Sequence, residues 1–311
     1  MAHDSAHPRP RRLGFLPLVT PAWLVLGGLF LLPLLGVLLV SFAKSDDYGD
    51  PVPLRGVADL WHHVSSGDAF ANYAQTVRPG TLAILWRSLW IAAATTVLTA
   101  LVSYPVAYYL AVRAPARAKG LLLALVVVPF WTSFLVRTYA WMIILRPEGL
   151  LNAALLRLGV VAAPLDLLYN DGAVLVGLVY GELPFMILPL YASLEKLDRS
   201  LLEAADDLGA GGWSAFRRVT FPLSVPGLVA GAVLVFVPSV GQFVVSDLLG
   251  GGKSVLVGNL VQSQFAAASG IGDRPYGAAV AFQLTAAVLL LVGAYGWWAR
   301  RGRRGRDEEG K

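Results

Sequence analysis

Long apolar stretches alternate with short polar segments along most of the chain. Two of these stretches, 120–145 and 172–194, contain a single charged residue each, Arg137 and Glu182. The stretches without any charged residue are 13–43, 88–112, 219–246 and 275–299. Because a bilayer core about 30 Å thick needs about 20 mainly apolar residues in a helix, the pattern predicts six transmembrane helices.

The predicted fold class is therefore an all-α membrane protein with six transmembrane helices. Prolines lie inside most of these stretches, and membrane helices tolerate them where neighbouring helices satisfy the backbone. The predicted spans cover about 18–42, 86–112, 119–145, 172–194, 222–246 and 276–299. Around them we expect an N-terminal tail 1–12, a membrane domain 13–299 with a long loop 43–85 and a polar loop 195–221, and a basic tail 300–311.

Composition excludes several other classes of protein. The chain is 56% hydrophobic and 14% charged, and its mean hydropathy is +0.63, whereas soluble domains are about 25% charged. The absence of Cys excludes disulfides, thiolate zinc sites, iron–sulfur clusters and Cys nucleophiles. Four His residues offer no clear metal-ligand cluster, and no catalytic triad is recognisable, so we expect neither a metal site nor an enzyme.

The positive charges predict the orientation in the membrane. Sixteen of the 25 Lys and Arg residues lie in segments on the same side of the membrane as the N-terminus, and eight lie in segments on the opposite side. The remaining one, Arg137, lies within a span. The positive-inside rule then places both termini in the cytoplasm. The first span is longer than the apolar region of a signal peptide, about 7–15 residues, so we expect it to be retained. The arginines of 300–306 follow an apolar run, which favours contact with anionic lipid and argues against a nucleic-acid partner.

The loop 195–221 has a pattern typical of short helices. Ser200 and Glu203 fit a capping box, in which each side chain accepts from a backbone amide of the first turn. Gly209 suits the left-handed position that ends a helix. A second amphipathic segment, 213–219, is predicted to end before Pro222. The apolar side chains of the loop either fold back on the membrane domain or insert into a partner: Leu201, Leu202, Leu208, Trp213 and Phe216.

The loop 43–85 carries several aspartates and aromatic residues. It is predicted to be external, with a short amphipathic helix near 57–64. Either it is an ordinary solvated loop or it is a docking surface for an external partner. His62 and His63 are interpreted as a solvated pair.

The polar loop also carries a family motif. Glu203-Ala204-Ala205, three residues, Gly209, nine residues, and then Val219-Thr220-Phe221-Pro222 resembles the EAA loop of binding-protein-dependent ABC importer permeases. The usual ending in that family is Ile-x-Leu-Pro, so Val219 and Phe221 are conservative departures. Segments 129–141, 183–189 and 247–252 are similar to the spermidine/putrescine permease subgroup. Gln242 stands where that subgroup often has Glu, and Glu182 stands where an aromatic residue is more usual.

This resemblance implies one permease subunit of a type I ABC importer in the bacterial inner membrane. The expected partners are a second, homologous permease subunit, a cytoplasmic ATPase dimer and an external solute-binding protein. ATP and Mg would bind to the ATPase, and this chain would bind no cofactor. The implied solute is polyamine-like; an opine, an amino-acid derivative and iron are alternatives within the family. A secondary transporter is a further alternative, although no internal repeat is visible. The implied coupling residues are Glu203, Ala204, Ala205, Gly209 and Pro222.

Charged and aromatic residues in or beside the spans are the candidates for the substrate path. Ionisable residues in spans are costly, so they face a partner or a water-filled path. We interpret Arg137 as structural or as a path charge. The candidate path residues are Glu182, Asp247, Gln242, Trp131, Tyr139 and Phe243. The aromatic members are expected either to surround an organic cation or to form an interfacial belt.

Two glycine patterns complete the expectations. The segment 250–254 imitates the end of a phosphate-binding loop, but Asp247 occupies the position of its first glycine. We therefore expect a flexible loop at the gate, without bound nucleotide. The pairs Gly177/Gly181 and Gly227/Gly231 predict close helix packing.

Overall fold

A computed structural model of the chain describes residues 16–52, 66–266 and 272–309. The predicted tail 1–12, the helix near 57–64 and the pair His62/His63 lie outside the described residues, and so do the side chains of the basic tail. Over the described residues the chain forms thirteen α-helices, joined by short turns and one isolated β-bridge. These are α1 (Leu16–Ser41), α2 (Ala71–Thr76), α3 (Pro79–Tyr108), α4 (Ala116–Val127), α5 (Phe134–Leu145), α6 (Leu150–Arg157), α7 (Asp171–Glu195), α8 (Arg199–Asp207), α9 (Gly212–Ala215), α10 (Phe221–Gly241), α11 (Val244–Gly250), α12 (Val257–Phe265) and α13 (Arg274–Glu309).

The predicted all-α membrane fold is confirmed. Within the described residues, five continuous helical runs are long and apolar enough to cross a membrane, and a bent pair of helices supplies a sixth. The continuous runs are Leu24–Ser41, Pro79–Arg113, Asp171–Glu195, Gly212–Gly241 and Arg274–Ala294. The bent pair is Ala116–Trp131 with Phe134–Arg157, and its two arms meet at 89°.

The third span is therefore not the continuous helix expected over 119–145. After α4, a 3₁₀ turn covers Val128–Trp131, and the backbone is then extended at Thr132 and Ser133, with ψ values of 152° and 134°. Pro129 lies in this turn and has no N–H to continue an α-helical ladder. The apolar pattern concealed the break because apolar residues continue through both arms.

The fifth span, expected over 222–246, is also interrupted. The helix α10 ends at Gly241, Gln242 is extended with φ −70° and ψ 129°, and α11 starts at Val244. Asn259 of α12 braces the start of α11: its Nδ2 donates at 3.1 Å to the carbonyl oxygen of Phe243, which also accepts from the backbone N–H of Asp247 at 2.8 Å. A break inside a membrane span is tolerated when such partners satisfy the backbone.

The centre of the bundle is α7, which packs against α3, α10 and α11. Around its first half lies a buried apolar cluster that includes Ile91, Leu145, Val174, Leu178, Val245 and Leu249. A second cluster surrounds its last half and includes Ala107, Leu110, Ala111, Ile187, Leu190 and Leu194. The helix α7 is therefore held on several sides over its whole length.

Glycines set the closest helix contacts, as predicted. Gly227 and Gly231 of α10 lie against α7, and Gly177 of α7 lies against α11. A Cβ atom at Gly231 would lie 2.7 Å from Sδ of Met186, closer than real Cβ contacts allow, and 3.2 Å from its Cα, which is tighter than most such contacts. Gly181 differs, because its nearest neighbour would be 3.9 Å away, which is an ordinary contact.

Replacing Gly231 by Ala should therefore separate α7 from α10. Overpacking of this kind costs about 1–3 kcal/mol, so we expect a lower melting temperature for the purified protein in detergent. Gly36→Ala in α1 is the matched control, because no atom lies within 4 Å of a Cβ at that position. Both variants gain the same helix propensity, so equal melting temperatures would contradict the close packing.

Candidate functional site: a charged cavity and an exposed helix

A cavity of about 500 Å³ lies where the two interrupted spans face α7. Phe130 and Phe134 come from the break between α4 and α5, and Gln242 comes from the break after α10. The described residues that line it are Phe130, Phe134, Arg137, Gly181, Glu182, Phe185, Gln242 and Val244. Non-helical backbone at membrane depth is tolerated where it is buried in protein or lines a cavity, and this arrangement fits that rule.

Arg137 lies in the first turn of α5, where its backbone N–H donates to the carbonyl of Ser133 at 3.2 Å. Its guanidinium carbon is 4.5 Å from the centre of the Phe130 ring and 5.9 Å from the centre of the Phe134 ring. Both distances are within the range of cation–π attraction. Nε and Nη1 of Arg137 are buried, and neither has a hydrogen-bond partner among the described residues.

Glu182 lies halfway along α7 and is only 7% exposed. Its Oε2 atom is buried and has no hydrogen-bond partner among the described residues. Glu182 and Arg137 line the same cavity, yet they do not pair, since the salt bridges of the described residues are all elsewhere. A buried carboxyl group without a hydrogen-bond partner is costly, so Glu182 is a candidate contact for a bound group.

The structure brings only some of the candidate path residues together. Arg137, Glu182 and Gln242 share the cavity. Trp131 and Tyr139 do not line it: their exposed fractions are 83% and 50%.

Phe243 and Asp247 are also absent from the lining of this cavity. Both are held by Asn259, whose Nδ2 donates to the Phe243 carbonyl and, at 2.5 Å, to Oδ1 of Asp247. Asp247 is thus tied to α12 rather than directed at Glu182.

The aromatic wall contains residues that sequence reasoning did not single out: Phe130, Phe134 and Phe185. Tyr180 stacks on Phe130 with ring centres 5.6 Å apart, and Trp141 meets Tyr180 edge-on at 5.7 Å. This second layer positions the Phe130 ring. The available signal was the run of aromatic residues beside Pro129 and Pro184, but an apolar pattern does not reveal which rings face inwards.

A polar cluster joins α3, α7 and the glycine-containing segment 250–254 at the end of the bundle opposite α8. Arg87 Nη2 is 2.6 Å from Oδ1 of Asp171, and Arg87 Nη1 donates to the Lys253 carbonyl at 2.8 Å. Ser254 Oγ donates to the same Asp171 oxygen at 2.5 Å. The loop that was expected to be flexible is therefore anchored, and we call Arg87, Asp171 and Ser254 the outer cluster.

The helix α8 begins differently from the prediction. Its N-cap is Asp198, whose Oδ1 accepts from the backbone N–H of Ser200 at 3.0 Å, so the predicted capping box of Ser200 and Glu203 is wrong. Asp and Ser are both good N-cap residues. Asp198 is the cap because the helix begins at Arg199, so its N-cap lies two residues before the predicted one. That backbone hydrogen bond lowers the pKa of the Asp198 carboxyl, so the cap is lost only as the pH falls below the ordinary carboxyl range. Gly209 has φ 75°, which confirms the predicted left-handed end.

The sequence predicted that the second segment of the loop ends before Pro222, but in the structure it continues past that residue. The short helix α9 continues through a wider π-helical turn, Phe216–Thr220, directly into α10. Pro222 lies in the first turn of α10, where its missing N–H is tolerated after the π turn. The loop therefore joins the membrane span without a break.

The apolar residues of this loop were expected either to fold back on the membrane domain or to insert into a partner, and the structure shows residues of both kinds. Phe216 folds back, with its ring 5.5 Å from that of Tyr104 in α3. Leu208 and Trp213 remain 88% and 75% exposed, and Glu203 and Ala204 are exposed as well. One part of the loop is thus packed on the membrane domain, and another part is free for a partner. We call α8 together with Leu208 and Trp213 the exposed helix surface.

Fold, cavity and loop together define a membrane subunit of a transport system. Residues 103–304 match the family of binding-protein-dependent transport system inner membrane components. The chain belongs to this family.

Relatives with established names extend over most of the chain. The spermidine/putrescine transport system permease protein PotB of Escherichia coli K12 is 42% identical over 279 residues, which cover 90% of this chain and 94% of that protein. PotB of Haemophilus influenzae is 41% identical over 277 residues, covering 88% of this chain and 89% of that protein. The molybdenum transport system permease protein ModB of Azotobacter vinelandii is 33% identical over 170 residues, covering 55% of this chain and 73% of that protein.

A solved structure supports the fold. The crystal structure of a bacterial ABC transporter involved in the import of the acidic polysaccharide alginate contains a chain that superimposes with a TM-score of 0.59. The match covers 94% of this chain and 99% of that one at 16% identity, so it shows the fold alone.

The cap of α8 can be tested by hydrogen exchange. Asp198→Ala should speed amide exchange in the first turn of α8 several-fold, because the Ser200 N–H loses its acceptor. Ser200→Ala is the control, since it keeps that backbone donor, and it should change the exchange much less. Equal acceleration by the two variants, read by mass spectrometry of the α8 peptide, would restore Ser200 as the cap.

Proposed function

We propose that this chain is the permease subunit of an ATP-driven importer that passes a polyamine, such as putrescine or spermidine, from an external binding protein to the cytoplasm. The relatives named for spermidine/putrescine transport support the substrate class. The observation that carries the proposal is the cavity, in which a buried carboxyl group and three aromatic rings meet at the junction of two interrupted spans.

The chemistry of the cavity suits an alkyl ammonium group. Glu182 offers a buried oxygen without a partner, and ring faces attract cations. Gln242 adds an amide to the lining. We assign the substrate contacts to Glu182 and Gln242, with the phenyl rings packing on the methylene groups. Ligand cavities typically measure about 300–1,000 Å³, a range that this one falls within.

The candidate path residues outside the cavity receive other places in the proposal. Trp131 and Tyr139 are exposed on this chain, so we assign them to the contact with a second, homologous permease subunit or with membrane lipid. Asp247 and Phe243 lie beside the break after α10. We assign them to the outer approach to the cavity.

The exposed helix surface is the proposed contact with a cytoplasmic ATPase dimer. Glu203, Ala204 and Gly209 are exposed on α8 or just after it, Ala205 of the same helix is buried, and Pro222 lies where the loop continues into α10. Because α9 continues into α10 without a break, and α8 packs against α9 and the π-helical turn, movement of α8 would be passed on to a span that lines the cavity. Such coupling proceeds by rigid-body motion between two packed states. ATP and Mg would bind to the ATPase, and this chain would contribute no cofactor site and no catalytic residue.

This assignment includes an orientation. The end of the bundle that carries α8 would face the cytoplasm together with both termini, in line with the excess of Lys and Arg on that side. The outer cluster would then face the binding protein. Family membership sets aside the secondary transporter. A different solute within the family is the remaining alternative, and the carboxyl group in the cavity favours a cation.

The proposal is tested by the ATPase activity of the assembled complex in liposomes. The binding protein is titrated in after loading with putrescine, with spermidine or with a control solute. Stimulation by the polyamine-loaded protein is expected. Stimulation only by a protein loaded with a non-cationic solute would overturn the polyamine assignment.

The coupling assignment predicts that Glu203→Lys and Gly209→Pro uncouple transport without blocking membrane insertion. Gly209 has φ 75°, which Pro cannot adopt, and Glu203 lies on the exposed helix surface. Coupling free energies are typically about 1–3 kcal/mol, so uptake should fall roughly 5–150-fold. Glu203→Gln is the matched control and should retain more uptake than Glu203→Lys. Normal uptake by both uncoupling variants would contradict the assignment.

A further inference from the structure

One positively charged side chain lies among the residues that line the cavity. The other lining residues are a carboxylic acid, an amide, three aromatic rings and two small apolar residues. Such a lining suits a cation, and Arg137 is the only cation that the described residues contribute to it.

The guanidinium of Arg137 lies on the aromatic wall rather than on the acid. Its central carbon is 4.5 Å from the centre of the Phe130 ring, whose other neighbour is Tyr180 in a stacked arrangement. Nε and Nη1 gain no hydrogen bond from any described residue. The guanidinium therefore contacts two ring faces and interacts with the charge of Glu182 without a direct hydrogen bond, and ring contacts of this kind are weak enough to be exchanged.

The carboxyl group of Glu182, which lines the same cavity, has an acceptor atom that is not hydrogen-bonded. Glu182 Oε2 is buried without a hydrogen-bond partner, and no salt bridge joins Glu182 to Arg137 in the described part of the chain. A direct ion pair would have used the donors of Arg137 and the acceptor of Glu182 at the same time. Instead, the cavity holds a cation on its rings and an open acceptor on α7.

We propose that Arg137 is a built-in competitor for the transported ammonium group. Its guanidinium covers the Phe130 face in the empty cavity, and a substrate ammonium that reaches Glu182 displaces it. The inference rests on the proposed function and adds a specific role for Arg137. A transport site must bind its solute weakly enough to release it, and a tethered cation lowers the affinity of a site that an acid and three rings would otherwise make tight.

The test measures equilibrium binding of radiolabelled putrescine to the purified complex of this chain with its partner subunits, without nucleotide and without binding protein. Arg137→Met should tighten binding about tenfold, because the competing cation is gone while a side chain of similar length remains. Arg137→Lys should remain near the wild type, since a tethered cation is retained. Arg157→Met, which removes an exposed arginine of α6 that does not line the cavity, should leave binding unchanged.

A second pair of variants identifies the site of the gain. Adding Glu182→Gln to Arg137→Met should abolish the tighter binding, because the acceptor on α7 is lost. Uptake into proteoliposomes by Arg137→Met should show a lower half-saturating concentration of loaded binding protein and a lower maximal rate, since release becomes slower.

Several outcomes would overturn the role of Arg137. Unchanged or weaker binding by an assembled Arg137→Met complex would do so, and so would a gain that persists with Glu182→Gln. If Arg137→Met does not assemble, Arg137→Gln is measured instead; failure of both to assemble would show that Arg137 is structural. Failure of the wild-type complex to import putrescine or spermidine would be a different result, because it would overturn the proposed function itself.

Discussion

Polar groups inside a membrane need partners, and this requirement determines where the helices of this chain can break. The ladder of helical hydrogen bonds stops at Thr132–Ser133 and again at Gln242, and both breaks adjoin one cavity facing α7. The second break is stabilised by Asn259. The first contains Pro129, which has no N–H to donate. The two helix breaks therefore lie beside the same cavity that holds the buried charged residues Arg137 and Glu182.

The helix α7 connects the three polar regions of the molecule. It begins at Asp171 in the outer cluster, carries Glu182 in the cavity, and ends at Glu195. There, Glu195 accepts from the Tyr191 hydroxyl at 2.5 Å and lies 3.6 Å from Nζ of Lys119. Gly227 and Gly231 bring α10 into close contact with α7, so in the proposed coupling a displacement at the exposed helix surface would reach the wall of the cavity through packed helices.

The sequence was most informative about hydrophobic length and least informative about local geometry. Charge-free stretches predicted the membrane spans, because burial in lipid imposes a long apolar pattern. The breaks at Thr132 and Gln242 were missed, because apolar residues continue on both sides of each. Asp198 and Ser200 are both good caps, and only the start of α8 decides between them. Single charges within the spans singled out Arg137 and Glu182, which line one cavity, whereas the inward direction of Phe130 and Phe185 depends on packing that periodicity does not encode.

The central claim is that the cavity between the two interrupted spans binds the transported cation. The most direct measurement is a high-resolution structure of the assembled complex, determined with and without bound putrescine. The account predicts ligand density between Phe130 and Glu182, with the Arg137 guanidinium moved off the Phe130 ring. Ligand density elsewhere in the bundle, with Arg137 still on that ring, would contradict it.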